Sequence, residues 1–215
     1  MIAPKIYLVH AGLMSISPME KAFRSAWSDV NPINLLDESL SKDAAVIGPN
    51  HAVFRRRFEL IGEYCEVSSA DALLFTCSAF GDSISLVKKR HTFPVLTPNE
   101  ALFERILDAD GRTAVFVTFE ASVTALEDEL AAMAEARGME AKADFIFIPG
   151  AFNSPDHDNK VTVACGQLEG DYSAIALGQA SMATAAEAVK AVTTLPVLDT
   201  PTTSVEKLRT LFTAT

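Results

Sequence analysis

The sequence predicts an α/β fold in which two similar lobes each carry a parallel sheet flanked by helices. Short, continuously apolar runs alternate with helical stretches, and the second half of the chain repeats the order of the first. Of the 215 residues, 49% are apolar, which is typical of a globular protein. Strands that are apolar throughout are covered on both faces, as the strands of parallel sheets are.

The first half of the chain alternates four strands with helices. Strands are predicted at residues 6–9, 33–36, 72–75 and 94–96, and helices at 18–28, 52–67, 83–90 and 99–107. Pro18 suits the first turn of a helix, because its missing N–H would have no partner there. The helix at 83–90 ends in three cations, which complement the helix dipole at that end.

The second half shows the same alternation. Strands are predicted at 114–117, 145–148, 174–177 and 196–198, helices at 122–137, 183–192 and 204–212, and a polar loop at 153–160. The helix at 122–137 is the clearest of these. Gly138 follows it, and glycine suits the left-handed residue with which many helices end.

An offset of 102 residues relates the two halves. It places residues 73–79 on 175–181, and the Pro-Val-Leu run at 94–96 on the one at 196–198. We therefore predict a duplicated lobe, with residues 1–97 and 200–215 in the first lobe and 98–199 in the second. Ligands of open α/β sheets bind beyond the carboxyl ends of the strands. Two lobes facing each other about an approximate two-fold axis would place Cys77 and Gln179 on opposite walls of one active-site cleft.

Charge, hydropathy and cysteine content exclude several classes of function. The chain has 18 Lys+Arg against 28 Asp+Glu, a net charge of −10, which argues against a nucleic-acid partner. No apolar run is long enough to span a membrane, and the first residues lack the features of a signal peptide. Three cysteines without a C-x-x-C pair argue against a disulfide framework and against zinc, so a reduced, cytoplasmic setting is expected. The glycine-rich motifs of nucleotide cofactors and the Gly-x-Ser-x-Gly motif of hydrolases are also missing from the sequence.

Cys77 is the leading candidate for chemistry. It follows a predicted buried strand and precedes a helix, between the hydroxyl residues Thr76 and Ser78. Backbone N–H groups at the start of a helix lower the pKa of a thiol and bind anions. We therefore interpret Cys77 as a reactive thiol. Cys65 and Cys165 are interpreted as packing residues instead.

Polar residues also follow the first strand of each lobe. His10 follows the first of these strands, and two roles are open for it: an imidazole that carries a proton or orients a carboxylate, or a hydrogen-bonded structural residue. Thr118 comes directly after the corresponding strand of the second lobe and is followed by Phe119. A third polar cluster, residues 156–158, lies in the predicted loop. It is explained better by a turn than by a metal site, because no second set of ligands accompanies it.

Four segments together resemble the aspartate/glutamate/hydantoin racemase superfamily. They are LLDESLS at 35–41, LFTCSAFG at 74–81, PVLTPNEA at 94–101 and LGQASM at 177–182. In that superfamily two cysteines, one from each lobe, flank the α-carbon of a carboxylic acid, and neither pyridoxal phosphate nor a metal is used. The resemblance matches Cys77 to the first cysteine and Gln179 to the second, and it implies that no cofactor is needed.

An amide at position 179 changes what the resemblance implies. Gln179 cannot act as an acid or a base at neutral pH, but it can donate a hydrogen bond to a carboxylate or enolate oxygen. Cys77 would then serve one face of the substrate, and His10, Ser181 or water the other, unless the reaction needs only one face. The residues expected to contact the substrate are Thr76, Ser78, Thr118, Phe119, Gln179, Ala180 and Ser181.

The predicted function is a cofactor-independent racemase or isomerase that moves a proton at the α-carbon of a small carboxylic acid or amino-acid derivative. Two alternatives stay open. One is a single-cysteine lyase, decarboxylase or maleate-type isomerase of the same superfamily, and the other is a binding protein for small acids that catalyses nothing. The expected partner is a small carboxylate, with neither nucleic acid nor membrane. A homodimer is expected because cyclic dimers are the commonest oligomers.

Overall fold

Two compact units make up the protein, and the computed structural model describes residues 3–213 of it. Unit 1 contains the chain up to Pro98 and again from Ser204 onward, and unit 2 contains residues 99–203. Each unit has one four-stranded sheet in which every pairing is parallel. The predicted fold class, two α/β lobes with parallel sheets and flanking helices, is confirmed.

Unit 1 alternates strands and helices in the order that its apolar runs predict. Its elements are β1 (Ile6–His10), α1 (Ile16–Ala26), β2 (Ile33–Leu36), α2 (Ser39–Ile47), α3 (Ala52–Val67), β3 (Ala72–Phe75), α4 (Gly81–Arg90) and β4 (Val95–Leu96). The strand order in the sheet is β2-β1-β3-β4. The central strands β1 and β3 therefore bring their carboxyl ends side by side.

Unit 2 repeats this arrangement. Its elements are α5 (Glu100–Leu107), β5 (Thr113–Val117), α6 (Val123–Ala136), β6 (Ala143–Phe147), α7 (His157–Gly166), β7 (Ala174–Leu177), α8 (Ala186–Val192) and β8 (Val197–Asp199). The strand order is β6-β5-β7-β8, with β5 and β7 in the centre. A last helix, α9 (Thr200–Thr213), begins in unit 2 and continues into unit 1.

The register of the central strands is the same in both units. Val9 of β1 lies opposite Phe75 of β3, and Phe116 of β5 lies opposite Leu177 of β7. Phe75 and Leu177 are 102 residues apart, which is the offset found in the sequence. Residues that follow these pairs can therefore be compared position by position between the units.

Each sheet is covered on both faces, which explains why its strands are apolar throughout. In unit 1, alternate residues of β1 point to opposite faces. Tyr7 and Val9 pack with residues of α3 and α4, whereas Ile6 and Leu8 pack with residues of α1 and α9. Unit 2 has two corresponding buried clusters, one with residues of α7 and α8 and the other with residues of α5 and α6.

Two helices depart from the sequence prediction. The predicted polar loop at 153–160 is wrong in its second half, because α7 begins at His157. This helix buries only Val161 and Cys165, so it lacks the repeating apolar face by which a helix is recognised. The other unpredicted helix, α2, has Leu40 as its only buried residue. Its start is fixed by the Asp37 carboxylate, which accepts a hydrogen bond from the backbone N–H of Ser39.

Candidate functional site

Cys77 lies at the carboxyl edge of the unit 1 sheet. It comes two residues after β3, and the 3-10 turn Ser78–Phe80 leads from it into α4. Its thiol is partly buried, whereas Cys65 and Cys165 are almost fully enclosed. Cys77 is thus the cysteine of this chain that a small molecule can reach most readily.

Burial keeps all three thiols protonated at neutral pH. It raises the pKa of Cys65 to about 11 and that of Cys165 to about 12. Burial also raises the pKa of Cys77, although the backbone N–H of Ala79 acts in the opposite direction. The start of the helix was expected to lower this pKa, but the loss of solvation outweighs it.

His10 lies at the end of β1, beside Thr76, the residue before Cys77, and is fully buried. Its Nδ1 is 2.7 Å from the Ser15 hydroxyl and 2.9 Å from the Thr76 hydroxyl. Its Nε2 is 3.0 Å from Oδ1 of Asn34, a residue of the neighbouring strand β2. Burial lowers the pKa of His10 below its usual value, against the opposing effects of the Asn34 hydrogen bond and the charge of Glu20.

Both hydroxyls of this cluster have further acceptors. Ser15 Oγ and Thr76 Oγ1 are 3.0 Å apart. The Ser15 hydroxyl also lies 3.1 Å from the Gly12 carbonyl oxygen, and the Thr76 hydroxyl lies 3.1 Å from the Val9 carbonyl oxygen. The end of β1 and the end of β3 are therefore joined by side chains as well as by the sheet.

Unit 2 has a different polar cluster at the same edge of its sheet. The side-chain oxygen of Gln179 accepts hydrogen bonds from the backbone N–H of Thr118 at 2.7 Å and from the Thr118 hydroxyl at 2.8 Å. The Gln179 Nε2 lies 3.4 Å from the Ser122 hydroxyl, which is a longer and weaker contact. The oxygen is occupied by these two hydrogen bonds. A ligand would therefore interact with Gln179 through Nε2, which can donate a hydrogen bond.

The remaining predicted residues differ in accessibility. Ser78 and Ser181 are partly exposed, and Ala180 is buried at the start of the 3-10 turn Ala180–Ala185. The Phe119 side chain is 42% exposed and its ring lies against that of Phe152, with the centroids 4.8 Å apart. The structure brings His10 together with Thr76, and Thr118 together with Gln179.

Sequence reasoning missed Ser15, Asn34 and Ser122. Asn34 carried a signal, since it is the one polar residue of the apolar run 33–36. Ser15 and Ser122 each end a 3-10 turn, Leu13–Ser15 and Glu120–Ser122, and gave no such signal. Serine is common at helix starts for local reasons, so its position alone does not indicate a site.

No metal centre is found among residues 3–213, where no group of three His, Cys, Asp or Glu side chains has suitable geometry. Nδ1 of His157 pairs with Asp158 at 2.8 Å, and the Asp158 carboxylate also accepts from the Thr184 hydroxyl. A surface depression of unit 2, lined by residues between 106 and 142, lies before β5 and β6, at the opposite edge of the sheet from Gln179. Across the described part of the chain, every helix is too short or too polar to cross a membrane.

Comparisons with known proteins agree with this architecture. The sequence model of the Asp/Glu/hydantoin racemase family matches residues 38–208. Allantoin racemase from Klebsiella pneumoniae has a similar structure, with 16% identity, a TM-score of 0.75, and coverage of 99% of this chain and 89% of that chain. No curated protein sequence matches significantly.

Two further solved structures share the fold. An aspartate racemase homologue from Pyrococcus horikoshii OT3 has 15% identity and a TM-score of 0.70, covering 96% of this chain and 98% of that one. Glutamate racemase from Francisella tularensis, in complex with D-glutamate, has 11% identity and a TM-score of 0.65, covering 99% and 82%. The family match spans most of the sequence, and the resemblance seen in the motifs is confirmed. The chain belongs to the Asp/Glu/hydantoin racemase family, a family of isomerases.

Proposed function

We propose that this protein is a cofactor-independent racemase or isomerase, in which Cys77 transfers a proton at the α-carbon of a small carboxylic acid or amino-acid derivative. The observation that carries the proposal is the position of Cys77. It is the accessible cysteine of the chain, and it lies at the carboxyl edge of a parallel sheet, where ligands of such folds bind. The family match and the allantoin and glutamate racemases among the structural neighbours support the same class of reaction.

The proposed binding groups are hydrogen-bond donors. In unit 1, the Ser78 hydroxyl and the backbone N–H groups at the start of the turn after Cys77 suit a carboxylate, because Ser78 is partly exposed and the first N–H groups of a helical turn have no partner within it. Thr76 immediately precedes Cys77 in the chain and belongs to the same proposed set of binding residues. In unit 2, Gln179 contributes Nε2, with Ser181 and Ala180 next to it and Thr118 behind it. Phe119 offers an apolar surface to the rest of the substrate.

The proton transfer has two steps in this proposal. Burial favours the thiol form of Cys77 at neutral pH, so Cys77 must first lose its proton to solvent. The thiolate then removes the α-proton, and the electron pair of the C–H bond passes into the adjacent carbonyl or carboxylate group. Return of the proton from Cys77 restores the substrate, whereas a proton from water on the other face inverts it.

Proton NMR in deuterium oxide tests this function. The panel contains aspartate, glutamate, hydantoins, allantoin, maleate and arylmalonates. We expect one compound to lose its α-proton signal with the wild type and to keep it with Cys77→Ala. Cys65→Ala is the matched control, because that thiol is fully buried, and it should exchange the proton like the wild type. Exchange that persists in Cys77→Ala would refute the assignment.

One observation favours the single-cysteine lyase as a second candidate. The Cys77 thiol holds its proton, and the equivalent position in unit 2 is an amide that cannot supply another. Such a site suits protonation from one face. In a decarboxylation, the bond to the leaving carbon dioxide would break, the electron pair left on carbon would take the Cys77 proton, and water would restore the thiol. Incorporation of deuterium on a single face of the product would favour this candidate over a racemase. Broadened ligand signals without any reaction would favour a binding protein.

A further inference from the structure

The two units have different residues at the carboxyl ends of their central strands. The turn that ends at Ser15 and the helix after it correspond to the turn that ends at Ser122 and its helix, 107 residues later. With the register of the central strands, this places His10 on Val117 and Thr76 on Gly178. The imidazole and hydroxyl of unit 1 are thus replaced by an apolar side chain and by no side chain at all.

Unit 2 shows that the fold does not need the imidazole. A Cβ atom at Gly178 would come within 3.1 Å of the Phe116 carbonyl oxygen and of Val117 Cγ1. Valine and glycine therefore fill the ends of β5 and β7 closely, with neither an imidazole nor a hydroxyl at these two positions. The corresponding cluster of unit 1 costs desolvation of a titratable ring. Its presence at Thr76, the residue that leads directly to Cys77, calls for a role beyond packing.

The orientation of one amide fixes the tautomer of His10. Asn34 donates from Nδ2 to the Glu20 carboxylate at 3.1 Å, so its Oδ1 faces His10. An amide oxygen accepts only, and Nε2 of His10 must therefore carry a hydrogen. Glu20 is the charged group that faces this pair, and it reaches the ring only through the amide.

The other ring nitrogen faces two hydroxyls. Because the ring is fully buried and its nearest carboxylate is one residue removed, the neutral form is favoured and Nδ1 keeps its lone pair. Nδ1 then accepts from Ser15, which is the shorter contact at 2.7 Å, or from Thr76 at 2.9 Å. Either arrangement holds both hydroxyls in place at the end of β3.

We propose that His10 is a positioning residue for Cys77: a neutral imidazole with its hydrogen on Nε2, which fixes Ser15 and Thr76 and thereby the strand end that presents the thiol. This inference rests on the proposed function of Cys77, and it replaces the open role in which His10 carries a proton. A displacement of about 1 Å at a reacting group can cost roughly 10²-fold in rate.

Two substitutions separate positioning from proton transfer. His10→Asn keeps an oxygen acceptor near the position of Nδ1 but cannot titrate, and His10→Val copies the residue of unit 2. We expect His10→Asn to retain most of kcat, and His10→Val to lower kcat by roughly 10²-fold with little change in KM. Neither asparagine nor valine can carry a proton. Equal loss of kcat in both variants would therefore indicate that His10 transfers a proton, and it would overturn the proposal.

Two further measurements do not depend on turnover. They test the role of His10 even if the proposed function of Cys77 is wrong. Nitrogen-15 NMR of the imidazoles should show His10, identified by its loss in His10→Asn, as the neutral Nε2–H tautomer at pH 7 to 8. Asn34→Leu should give a mixture of tautomers, and Glu20→Gln, which keeps an acceptor for Asn34, should not. Alkylation of Cys77 by iodoacetamide should quicken in His10→Val and stay unchanged in His10→Asn. A charged His10 at neutral pH, or unchanged alkylation in His10→Val, would refute the inference.

Discussion

The Gln179 side chain closes a hydrogen-bonded pair with Thr118, accepting from its backbone N–H at 2.7 Å and from its hydroxyl at 2.8 Å. Thr118 is only 1% exposed, so water cannot readily replace this acceptor. Gln179 therefore has a structural task in unit 2 that is independent of any substrate. Its amide oxygen satisfies buried donors, and only its Nε2 faces other partners.

Gln179→Ala should lower the free energy of unfolding by about 1–3 kcal/mol, because it leaves the buried N–H of Thr118 without an acceptor. Gln179→Glu keeps an oxygen in the same place and should stay close to the wild type near neutral pH. Urea unfolding followed by circular dichroism measures the difference. Equal stability of Gln179→Ala and the wild type would show that the Thr118 pair contributes nothing.

Gln179→Cys should change the stereochemical outcome of the reaction. In the superfamily that the motifs resemble, a cysteine from each lobe acts on the substrate, and this substitution places a thiol, which can act as an acid or base, at the position matched to the second cysteine. For a substrate that exchanges its α-proton without inversion in the wild type, inversion should rise by about 10²-fold or more. Chiral chromatography of the product measures this, and Gln179→Ala is the control because it loses the same amide. Inversion at the same rate in both variants would contradict the prediction.

Alkylation by iodoacetamide should modify Cys77 alone in the folded protein. Thiolate is the reactive form, and burial raises the pKa of Cys77, so the rate should climb with a midpoint above the value of about 8.5 of an ordinary thiol. Cys65 and Cys165, whose pKa values are about 11 and 12, should react only after unfolding. Mass spectrometry across a pH series measures each site, with Cys77→Ala as the unlabelled control. A midpoint below pH 8 would contradict the effect of burial.

Gly178→Ala should destabilise the protein by about 1–3 kcal/mol, the usual cost of overpacking. The new methyl group would lie 3.1 Å from the Phe116 carbonyl oxygen and 3.2 Å from Val115 Cγ1, neither of which can move freely within the sheet. Gly81→Ala is the matched control. Its backbone is helical, no atom lies within 4 Å of the added Cβ, and stability should rise by about 0.4–1 kcal/mol. Thermal unfolding of the two variants would show the opposite signs.

The ion pair between Arg57 and Asp37 should make stability depend on pH. Burial acts to raise the pKa of Asp37, but hydrogen bonds from Ser39 and Arg57 and the Arg57 charge outweigh it and lower the pKa below 3.8. A lowered folded-state pKa stabilises the protein above the unfolded value, and this stabilisation is lost as the pH falls through the folded value.

Arg57→Met should therefore lower stability near pH 7, by up to about 1 kcal/mol for so exposed a partner, and the deficit should shrink below pH 3.8. Urea unfolding at several pH values measures it. Lys190→Met, which breaks an exposed pair with Glu187, serves as the control and should change little. A deficit that stays constant down to pH 2 would show that Arg57 acts by packing rather than by charge.

The duplication is the part of the structure that the sequence predicts best. Apolar strands are conspicuous because both faces of each sheet are covered, and the offset that aligns Phe75 with Leu177 also aligns their pairing in the sheets. The strand ends followed from the same pattern, so Cys77 and Gln179 could be named without the structure. Two helices, α2 and α7, were missed because each buries so few side chains that no period marks it.

The side-chain partners could not be predicted in the same way. Asn34 reaches His10 across the sheet, and Ser15 reaches it from a turn five residues away in sequence. No local spacing encodes either contact. The pKa of Cys77 was predicted in the wrong direction for a related reason: helix starts can be read from sequence, but the desolvation that outweighs them depends on how the whole unit packs.

Because α9 is made last, the core of unit 1 is completed only after unit 2 has been synthesised. Unit 2 is continuous in sequence, and most of its residues leave the ribosome before α9 has been made. Val205 and Leu208 of α9 complete the core of unit 1 beside Ile6 and Leu8, which were made nearly two hundred residues earlier. One face of the first sheet, on which α1 already packs, therefore stays incompletely covered, and in need of protection from aggregation, until the last helix emerges.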